Sequence, residues 1–460
     1  MSIAFSPVPA TTTVPTGAGL PPVVGADLQV PLVDGRCVRY ANLDVAASAP
    51  ALQAVADEVN ALLPWYASVH RGAGYASQVC TRVLEAARTT VAEFVGARPG
   101  DVTVFTRHTT DSLNLLASCV PGPVLTLDVE HHANLLPWQS RPGSQVIAAR
   151  AGVDATLAAI DDALARGSFA LLAVTGASNV TGETLPIAQV VDIAHAYGTR
   201  VVVDAAQTAP HRRIDLAAWG ADYVALSGHK LYAPYGTGAL VGRRDWLDEA
   251  APHLAGGGAV AHVGIHGTTA EAAWAPAPHR HEAGTPNVLG AAALAAACRT
   301  LAPLLDPVSG DAPAHERALL TRLTDGLDAI DGVTSLRIWN DSPDRVAVAS
   351  FVVDGVPAGL VAAYLSAEHG IGVRDGRFCA HPLLARLADG ADGAVRASLG
   401  LGSTAEDVDR LLSALTALVA EGPRWDYAVV DGRWAPTPDP RDADPLGLAG
   451  AAGTQRCGAA

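Results

Sequence analysis

Residues 223–230 read YVALSGHK and end on Lys230, the only lysine of the chain. The first four residues form an uninterrupted apolar run, which predicts a short strand buried on both faces. Lysine and arginine together number 31, so arginine supplies the positive charge almost everywhere else. A primary amine can lose its proton and form an imine with a carbonyl, which a guanidinium cannot do. We therefore predict an imine-forming lysine at the end of a buried strand, rather than a lysine that occurs there by chance.

Further apolar runs precede this segment along the chain, at 124–127, 171–174 and 201–203, with a helical pattern at 187–197. Strands buried on both faces and joined by helices indicate a mostly parallel sheet in an α/β domain. After about residue 305 the pattern becomes shorter and mixed, which predicts a small α+β domain. Its expected elements are a helix at 316–327, a strand at 346–353, a helix at 359–368, short strands at 371–373 and 395–399, and a helix at 405–420 begun by Ser403 or Thr404.

The ends of the chain differ in composition from the rest. Residues 1–30 are rich in Thr, Pro, Gly and Val without a period, and 424–460 contain a proline-rich run and a Gly/Ala tail. We therefore predict an N-terminal arm at 1–30, a large domain at 31–304 whose first segment partly joins the small domain, a small C-terminal domain at 305–423, and a C-terminal extension at 424–460.

Composition limits the functional classes. With 49% hydrophobic and 17% charged residues, the 460-residue chain can bury a substantial core. The net charge of −15 and the lack of a basic cluster argue against nucleic acid and anionic membranes as partners. Residues 1–20 lack the pattern of a signal peptide, and the Ala/Leu run at 291–298 is too short to span a bilayer. Six cysteines without paired spacing favour reduced thiols, so we expect a cytoplasmic protein.

Asp204 provides the second chemical signal. An imine-forming lysine suggests pyridoxal phosphate (PLP), a cofactor whose ring nitrogen needs a carboxylate partner. Asp204 follows the apolar run 201–203, at the strand end where open α/β sheets bind ligands. The alternative, a helix N-cap, is less favoured because Gln207 lies just beyond and could contact the phenolic oxygen of the cofactor.

Other polar residues suit the remaining cofactor groups. Thr109 and Thr110, before an apolar helix, together with Ser227 and His229 could bind the phosphate, although the threonines could equally form an ordinary N-cap. His131 could stack on the cofactor ring and relay protons. The pair His131-His132 could also bind a metal, but no third ligand is near in sequence, so we expect no metal site.

Three further features concern the substrate. Arg396 lies in apolar strand sequence, where an arginine usually binds an anion such as an α-carboxylate, unless it faces solvent from an edge strand. Asn179 could bind the same carboxylate or a cofactor oxygen. Cys379 lies in the loop RDGRFCAHPL at 374–383, where two arginines and a histidine would favour its thiolate. The other cysteines are expected to be inert.

Taken in order, these motifs resemble the class V aminotransferases of PLP fold type I, and among them the SufS-type cysteine desulfurases and selenocysteine lyases. The resemblance extends from about Asn42 to Ala420. It is carried by LD at 43–44, AAS at 46–48, HRG at 70–72, TT at 109–110, EHHAN at 130–134, SNV at 178–180, DAAQ at 204–207, SGHKLY at 227–232, GGG at 256–258, EAGTPN at 282–287, the cysteine loop and RASL at 396–399.

This resemblance implies a large domain built on a mostly parallel, mixed seven-stranded sheet covered by helices, with a small α+β domain. It implies that Lys230 forms the imine with PLP and acts as the base at Cα, that Asp204 pairs with the ring nitrogen and that His131 stacks on the ring. The implied contacts of the cofactor oxygens are Gln207 and Asn179, and those of the phosphate are Thr109, Thr110, Ser227, His229 and, from the other subunit of a homodimer, Thr285.

The resemblance further implies that Arg396 binds the carboxylate of an amino-acid substrate, L-cysteine or an analogue, with Arg374 beside it. Cys379 would take sulfur from the substrate as a persulfide, leaving alanine, and could pass it to a separate acceptor protein.

Some residues depart from the pattern of the family, and they lie around the substrate and the cysteine. His108 replaces a usual glycine, Arg377-Phe378 replace a common histidine pair, and Gly402-Ser403 replace bulkier polar residues. Two alternatives follow. One is another class V reaction, catalysed by a C–S or β-lyase, an epimerase or an aminotransferase, in which Cys379 only lines the pocket. The other is a sulfur-relay or assembly component that uses the arms at 1–30 and 424–460.

Overall fold

The computed structural model describes residues 19–308, 310–388 and 390–448. Parts of the predicted N-terminal arm and C-terminal extension, including Cys457, lie outside these residues. The strands are β1 (Gln29–Pro31), β2 (Cys37–Arg39), β3 (Ala41–Asn42), β4 (Val102–Thr106), β5 (Val124–Leu127), β6 (Gln145–Ile147), β7 (Leu171–Thr175), β8 (Arg200–Asp204), β9 (Tyr223–Ser227), β10 (Gly238–Gly242), β11 (Val260–His266), β12 (Thr269–Trp274), β13 (Val333–Ser335), β14 (Val348–Val353), β15 (Ile371–Gly372), β16 (Arg374–Gly376), β17 (Ala394–Ser398), β18 (Tyr427–Val430) and β19 (Arg433–Pro436).

Helices connect and cover these strands. They are α1 (Gln53–Leu62), α2 (Tyr75–Phe94), α3 (Thr109–Cys119), α4 (Val153–Arg166), α5 (Ile187–Ala196), α6 (Leu216–Trp219), α7 (Asp245–Glu249), α8 (Val288–Leu304), α9 (Ala312–Asp328), α10 (Ala358–His369), α11 (His381–Leu387) and α12 (Ala405–Glu421). The apolar runs predicted as strands are β5, β7, β8 and β9, and the helical pattern at 187–197 is α5.

A seven-stranded sheet forms the centre of the large domain, in the order β4-β10-β9-β8-β7-β5-β6. Its neighbouring strands are parallel except β10, which runs antiparallel to both β4 and β9. The predicted fold, a mostly parallel mixed sheet covered by helices, is confirmed. Because β4, β7, β8 and β9 all point the same way, their carboxyl ends meet at one edge of the sheet, where ligands bind in open α/β folds.

The C-terminal part of the chain forms a second, antiparallel sheet in the order β13-β14-β17-β16. A separate apolar cluster beneath it includes Leu323, Phe351 and Leu411. The N-terminal residues Ala41 and Leu43 belong to the same cluster, since β3 pairs in parallel with β15. The predicted domain limits at 304 and 423 stay predictions. The last helix begins as expected, with a reciprocal capping box between Thr404 and Asp407.

Two hairpins lie at the periphery. The β11–β12 hairpin is largely exposed, with Ile265 at its tip. The β18–β19 hairpin belongs to the predicted C-terminal extension and packs along α10. Within the described ranges, no helix is both long and apolar enough to cross a membrane. Cys80, Cys119 and Cys298 are buried, as expected of inert thiols, whereas Cys37 is exposed.

Candidate active site

One cavity of about 360 Å³ lies where the carboxyl ends of the large sheet face the small domain. All but one of the residues predicted for the site line it. They are Thr109, Thr110, His131, Asn179, Asp204, Gln207, Ser227, His229, Lys230, Arg374, Cys379 and Arg396. The exception is Thr285, which lies at a different cavity beside Gly236 and Thr237.

Lys230 follows β9 by three residues, and Asp204 is the last residue of β8. Burial lowers the pKa of Lys230 to about 8, although the charge of Asp204 opposes the shift. Burial raises the pKa of Asp204, while the backbone N–H of Ala206 and the charge of Lys230 act against it. Ala206 N–H donates to Asp204 Oδ1 over 3.0 Å in a tight turn. No α-helix begins at Asp204, so the alternative role of a helix N-cap is wrong.

Two histidines in the cavity are held in the neutral form. Burial lowers the pKa of His131 to about 3, and the charge of Lys230 contributes. His131 Nδ1 accepts a hydrogen bond from Ala133 N–H over 3.0 Å, so the proton of the neutral ring is on Nε2. Burial likewise lowers the pKa of His229 to about 4. Both rings can therefore donate or accept a hydrogen bond without bringing a second positive charge beside Lys230.

A group of N–H and hydroxyl donors forms one corner of the cavity. It comes from the loops after β4 and β9, which lie close together because both strands flank β10. Gly238 pairs with Thr106 on one side and Ser227 on the other. The start of α3 therefore lies against Ser227. The Thr109 N–H and Thr109 Oγ1 each lie 2.8 Å from Ser227 Oγ. A helix N-terminus with neutral hydroxyls is an anion site.

The N-cap of α3 differs from the sequence alternative. His108, not Thr109 or Thr110, occupies that position, and its Nδ1 accepts from Asp111 N–H over 3.2 Å. The two threonines instead form the first turn of the helix. The cap position thus gives the polar side chain of His108 a structural role.

On the opposite wall, Arg396 is only 4% exposed, and β17 lies between β14 and β16. An edge-strand arginine that faces solvent is therefore excluded. Its Nη1 donates to the Asn179 carbonyl over 2.9 Å and its Nη2 to Asp44 Oδ1 over 3.1 Å. Nε has no hydrogen-bond partner among the described residues although it is buried. Only two of the five N–H donors of the guanidinium are thus used by residues that the structure describes, which leaves others for an anionic ligand.

Asp44, which the sequence reasoning did not assign to the site, joins two arginines. Its Oδ2 lies 3.0 Å from Arg374 Nη2, while its Oδ1 accepts from Arg396. The segment that carries it is the N-terminal strand pairing with β15, and Ser398 N–H donates to the Leu43 carbonyl over 2.7 Å. The sequence signal was the motif LD at 43–44, which contributed to the family resemblance but was given no role.

Cys379 is exposed and lies in the loop between β16 and α11. Both Phe378 and Cys379 have positive φ, +49° and +53°, a region that non-glycine residues seldom adopt. Contacts with the large domain hold this backbone. The Cys379 carbonyl accepts from His132 N–H over 2.8 Å, and the Phe378 carbonyl accepts from Asn179 Nδ2 over 2.8 Å. The Arg396 guanidinium lies over the Phe378 ring, 5.3 Å from its centroid.

Glu130 is a second residue that the sequence reasoning left without a role. It is fully buried behind His131, and burial raises its pKa to about 8. Its two oxygens accept from Asn134 Nδ2 over 2.7 Å and from Thr175 N–H over 3.0 Å. Glu130 therefore ties the turn after β5 to the carboxyl end of β7.

The sequence profile of the family described as Aminotransferase class-V matches residues 41–411. The chain belongs to this family. Among curated relatives, a probable cysteine desulfurase of Pseudomonas aeruginosa is 41% identical over 394 residues, which cover 81% of this chain and 92% of the relative. A cysteine desulfurase of Klebsiella pneumoniae is 36% identical and is covered to 94%, with 83% of this chain aligned.

Solved structures agree with this class-V aminotransferase fold. The crystal structure of the cysteine desulfurase CsdA of Escherichia coli, in an S-sulfonic acid form, superposes with a TM-score of 0.70 at 34% identity, covering 82% of this chain and 94% of that one. The apo cysteine desulfurase of Thermococcus onnurineus gives a TM-score of 0.72 at 32% identity, with coverages of 83% and 94%.

Class-V aminotransferases use PLP, and the described cavity fits that cofactor. Lys230 offers an amine of lowered pKa, Asp204 a buried carboxylate, and the start of α3 with Ser227 a neutral anion site. Gln207 donates through Nε2 to the Ala46 carbonyl over 2.8 Å, while its buried Oε1 has no partner among the described residues. A polar ligand would satisfy such an atom. The enzyme is therefore PLP-dependent.

Proposed function

We propose that this enzyme is a cysteine desulfurase, which removes sulfur from L-cysteine, or selenium from selenocysteine, and releases L-alanine. The observation that carries the proposal is that Cys379 lines the same cavity as Lys230, Asp204 and Arg396. A thiol is thus placed with a base, a partner for the cofactor ring and a carboxylate-binding arginine.

When bound, PLP supplies an aldehyde for the substrate's amine and a ring that accepts electron density. In this proposal Asp204 would keep the ring nitrogen protonated, and His131 would face the ring as a neutral group. Lys230 removes and returns protons on the substrate carbons, a role that suits an amine with a pKa of about 8. The phosphate would be held by Thr109, Thr110, Ser227 and His229, and the remaining oxygens by Gln207 and Asn179.

Arg396 binds the α-carboxylate through guanidinium N–H groups that its two hydrogen bonds within the chain leave free, and Arg374 adds positive charge beside it. The thiolate of Cys379 then attacks the sulfur of the substrate. The new S–S bond forms as the Cβ–S bond breaks, and a proton is added at Cβ. Cysteine and the Cys379 thiol thus give alanine and a Cys379 persulfide, with no external oxidant.

The test is a Cys379→Ser variant supplied with L-cysteine and dithiothreitol. We expect alanine formation to fall by at least about 100-fold, since a hydroxyl cannot take sulfur, while the absorbance of bound PLP is kept. Cys37→Ser, another exposed thiol, is the matched control and should retain full activity.

If Cys379→Ser released alanine at the unchanged rate, the persulfide step would be wrong. Elimination to pyruvate, racemisation or transamination would instead favour the alternative class V reaction. That alternative was suggested by Arg377 and Phe378, which replace a common histidine pair beside Cys379.

The proposal extends to assembly and location. We infer a homodimer, because Thr285 is remote from the cavity of its own chain, and the partner subunit's Thr285 would complete the phosphate site. We further propose a cytoplasmic enzyme that can pass sulfur to an acceptor. Sedimentation equilibrium should give twice the mass of the chain, and a monomer with full activity would contradict the shared site.

A further inference from the structure

The β18–β19 hairpin lies beyond residues 41–411, which match the family. It is firmly anchored on α10. Glu368 Oε1 accepts from Trp425 N–H over 3.2 Å and from Tyr427 Oη–H over 3.0 Å. Trp425 Nε1 donates to the Pro438 carbonyl over 2.8 Å, which closes the base of the hairpin. The segment is therefore a built part of the molecule, added next to the small domain.

At the other end of the hairpin, Trp434 lies against the start of α10. A Cβ placed on Gly359 would come 2.9 Å from Trp434 Cδ1, so the glycine permits this close approach. Between the hairpin and the cysteine loop lies a groove of about 930 Å³. Arg374 and Phe378 line both this groove and the active-site cavity, so the groove opens beside Cys379.

The groove carries charges of both signs. Arg377 on the cysteine loop and Arg433 on the hairpin form no ion pair within the described part of the chain, and neither does Asp375 between them in the lining. Two further charged residues line the groove: Arg374, which pairs with Asp44, and Asp392, which accepts from Ala358 N–H over 3.3 Å. Trp434 and Phe378 add apolar surface. Such a lining suits a small zwitterion better than a ligand of one charge.

The size of the groove points the same way. A volume of about 930 Å³ is within the range of small-molecule sites, about 300 to 1,000 Å³. We propose that the hairpin forms the outer wall of a binding groove for a zwitterionic, low-molecular-weight thiol that takes the sulfur from Cys379. The inference rests on the proposed desulfurase function and names the class of its acceptor.

The transfer is balanced without a further reactant. The thiolate of the acceptor attacks the outer sulfur of the Cys379 persulfide, and the bond from that sulfur to Cys379 Sγ breaks. The acceptor becomes a persulfide. Cys379 leaves as a thiolate and takes up the proton that the acceptor lost, ready for the next cysteine.

The test compares two acceptors in the full-length PLP-loaded enzyme, by alanine release at saturating cysteine. Glutathione is a zwitterionic thiol, and dithiothreitol is uncharged. For Trp434→Ala we expect the KM for glutathione to rise about tenfold, and for Arg433→Ser about threefold, with turnover on dithiothreitol unchanged. Arg424→Ser is the matched control, because this arginine is 80% exposed and pairs with Glu421 away from the groove.

Unchanged glutathione KM values in both variants would overturn the proposal, and so would an equal loss with both thiols. If the variants weakened only transfer to a protein acceptor, the groove would be a macromolecular docking site and the proposal would again be wrong. Failure of the unaltered enzyme to form alanine with dithiothreitol would instead refute the desulfurase function itself.

Discussion

The two walls of the active-site cavity are built in different ways. The cofactor wall, formed by His131, Asp204 and Lys230, comes from the carboxyl ends of β5, β8 and β9 in one sheet and is buried or half-buried, with every pKa shift caused first by burial. The cysteine wall, formed by Asp44, Arg374, Cys379 and Arg396, brings together segments more than 300 residues apart and includes an exposed loop of positive φ. The difference separates proton transfer by Lys230, which needs a site shielded from water, from sulfur transfer at Cys379, which must be accessible to an acceptor in solution.

The substitution Lys230→Arg should abolish the chemistry of the cofactor wall and leave the cysteine wall unchanged. Arginine keeps the charge but cannot form an imine or act as a base near neutral pH, so we expect alanine formation to fall by more than about 1,000-fold. Borohydride reduction followed by peptide mapping should find the pyridoxyl group at 230 in the unaltered enzyme and nowhere in the variant.

The matched control for this substitution is Arg424→Lys, which adds a lysine at a position that is 80% exposed and should not change either readout. Turnover by Lys230→Arg within about tenfold of the unaltered enzyme would mean that the cofactor wall does not act through this amine.

The burial of Lys230 also predicts how PLP addition to the apo-enzyme depends on pH. The pKa is lowered to about 8, so the reactive neutral amine increases as the pH rises toward that value and then levels off. Between about pH 6 and about pH 8 the rate should increase about fiftyfold, as the fraction of neutral amine does.

Stopped-flow absorbance of PLP mixed with apo-enzyme measures this rate. If Lys230 were exposed, with an ordinary pKa of about 10.4, the rate of PLP addition would still increase steeply with pH at about pH 9. Such a profile would contradict the burial of this amine in the cofactor wall.

Asp44→Asn tests the cysteine wall and has the smallest expected effect. An amide cannot satisfy both arginines as a carboxylate does, so Arg396 should lose its fixed orientation toward the substrate. We expect the KM for cysteine to rise about tenfold, or about 1.4 kcal/mol, with kcat within about twofold.

Steady-state kinetics with dithiothreitol separate the two constants, and Asp34→Asn, which removes a carboxylate from an exposed pair with Arg36, is the control. A lower KM would show that Asp44 competes with the substrate instead of orienting its arginine.

The same contrast explains what the sequence could predict. The strands β5, β7, β8 and β9 are recognisable in the sequence as continuous apolar runs, because strands buried on both faces do not alternate between apolar and polar residues. Asp204 follows such a run directly and Lys230 follows another within four residues, so their meeting at one edge of the sheet could be predicted from topology.

The link through Asp44 could not be predicted in this way, because it depends on β3 pairing with β15 far along the chain. Likewise, Glu130 reads as an ordinary acid beside two histidines, and only its complete burial shows that it holds two strand ends together. The groove beside Cys379 depends on the packing of a C-terminal hairpin for which the sequence offered only a proline-rich boundary.

The ion pair of Asp44 with Arg396 joins residues 352 positions apart. During synthesis on a ribosome, the strands that carry Asp204 and Lys230 are complete long before the residues that Asp44 must contact have emerged. Closing so long a loop is entropically costly and slow. Nascent chains should therefore acquire the capacity to retain PLP before they can recognise an amino acid, so that cofactor capture precedes substrate competence in the life of each molecule.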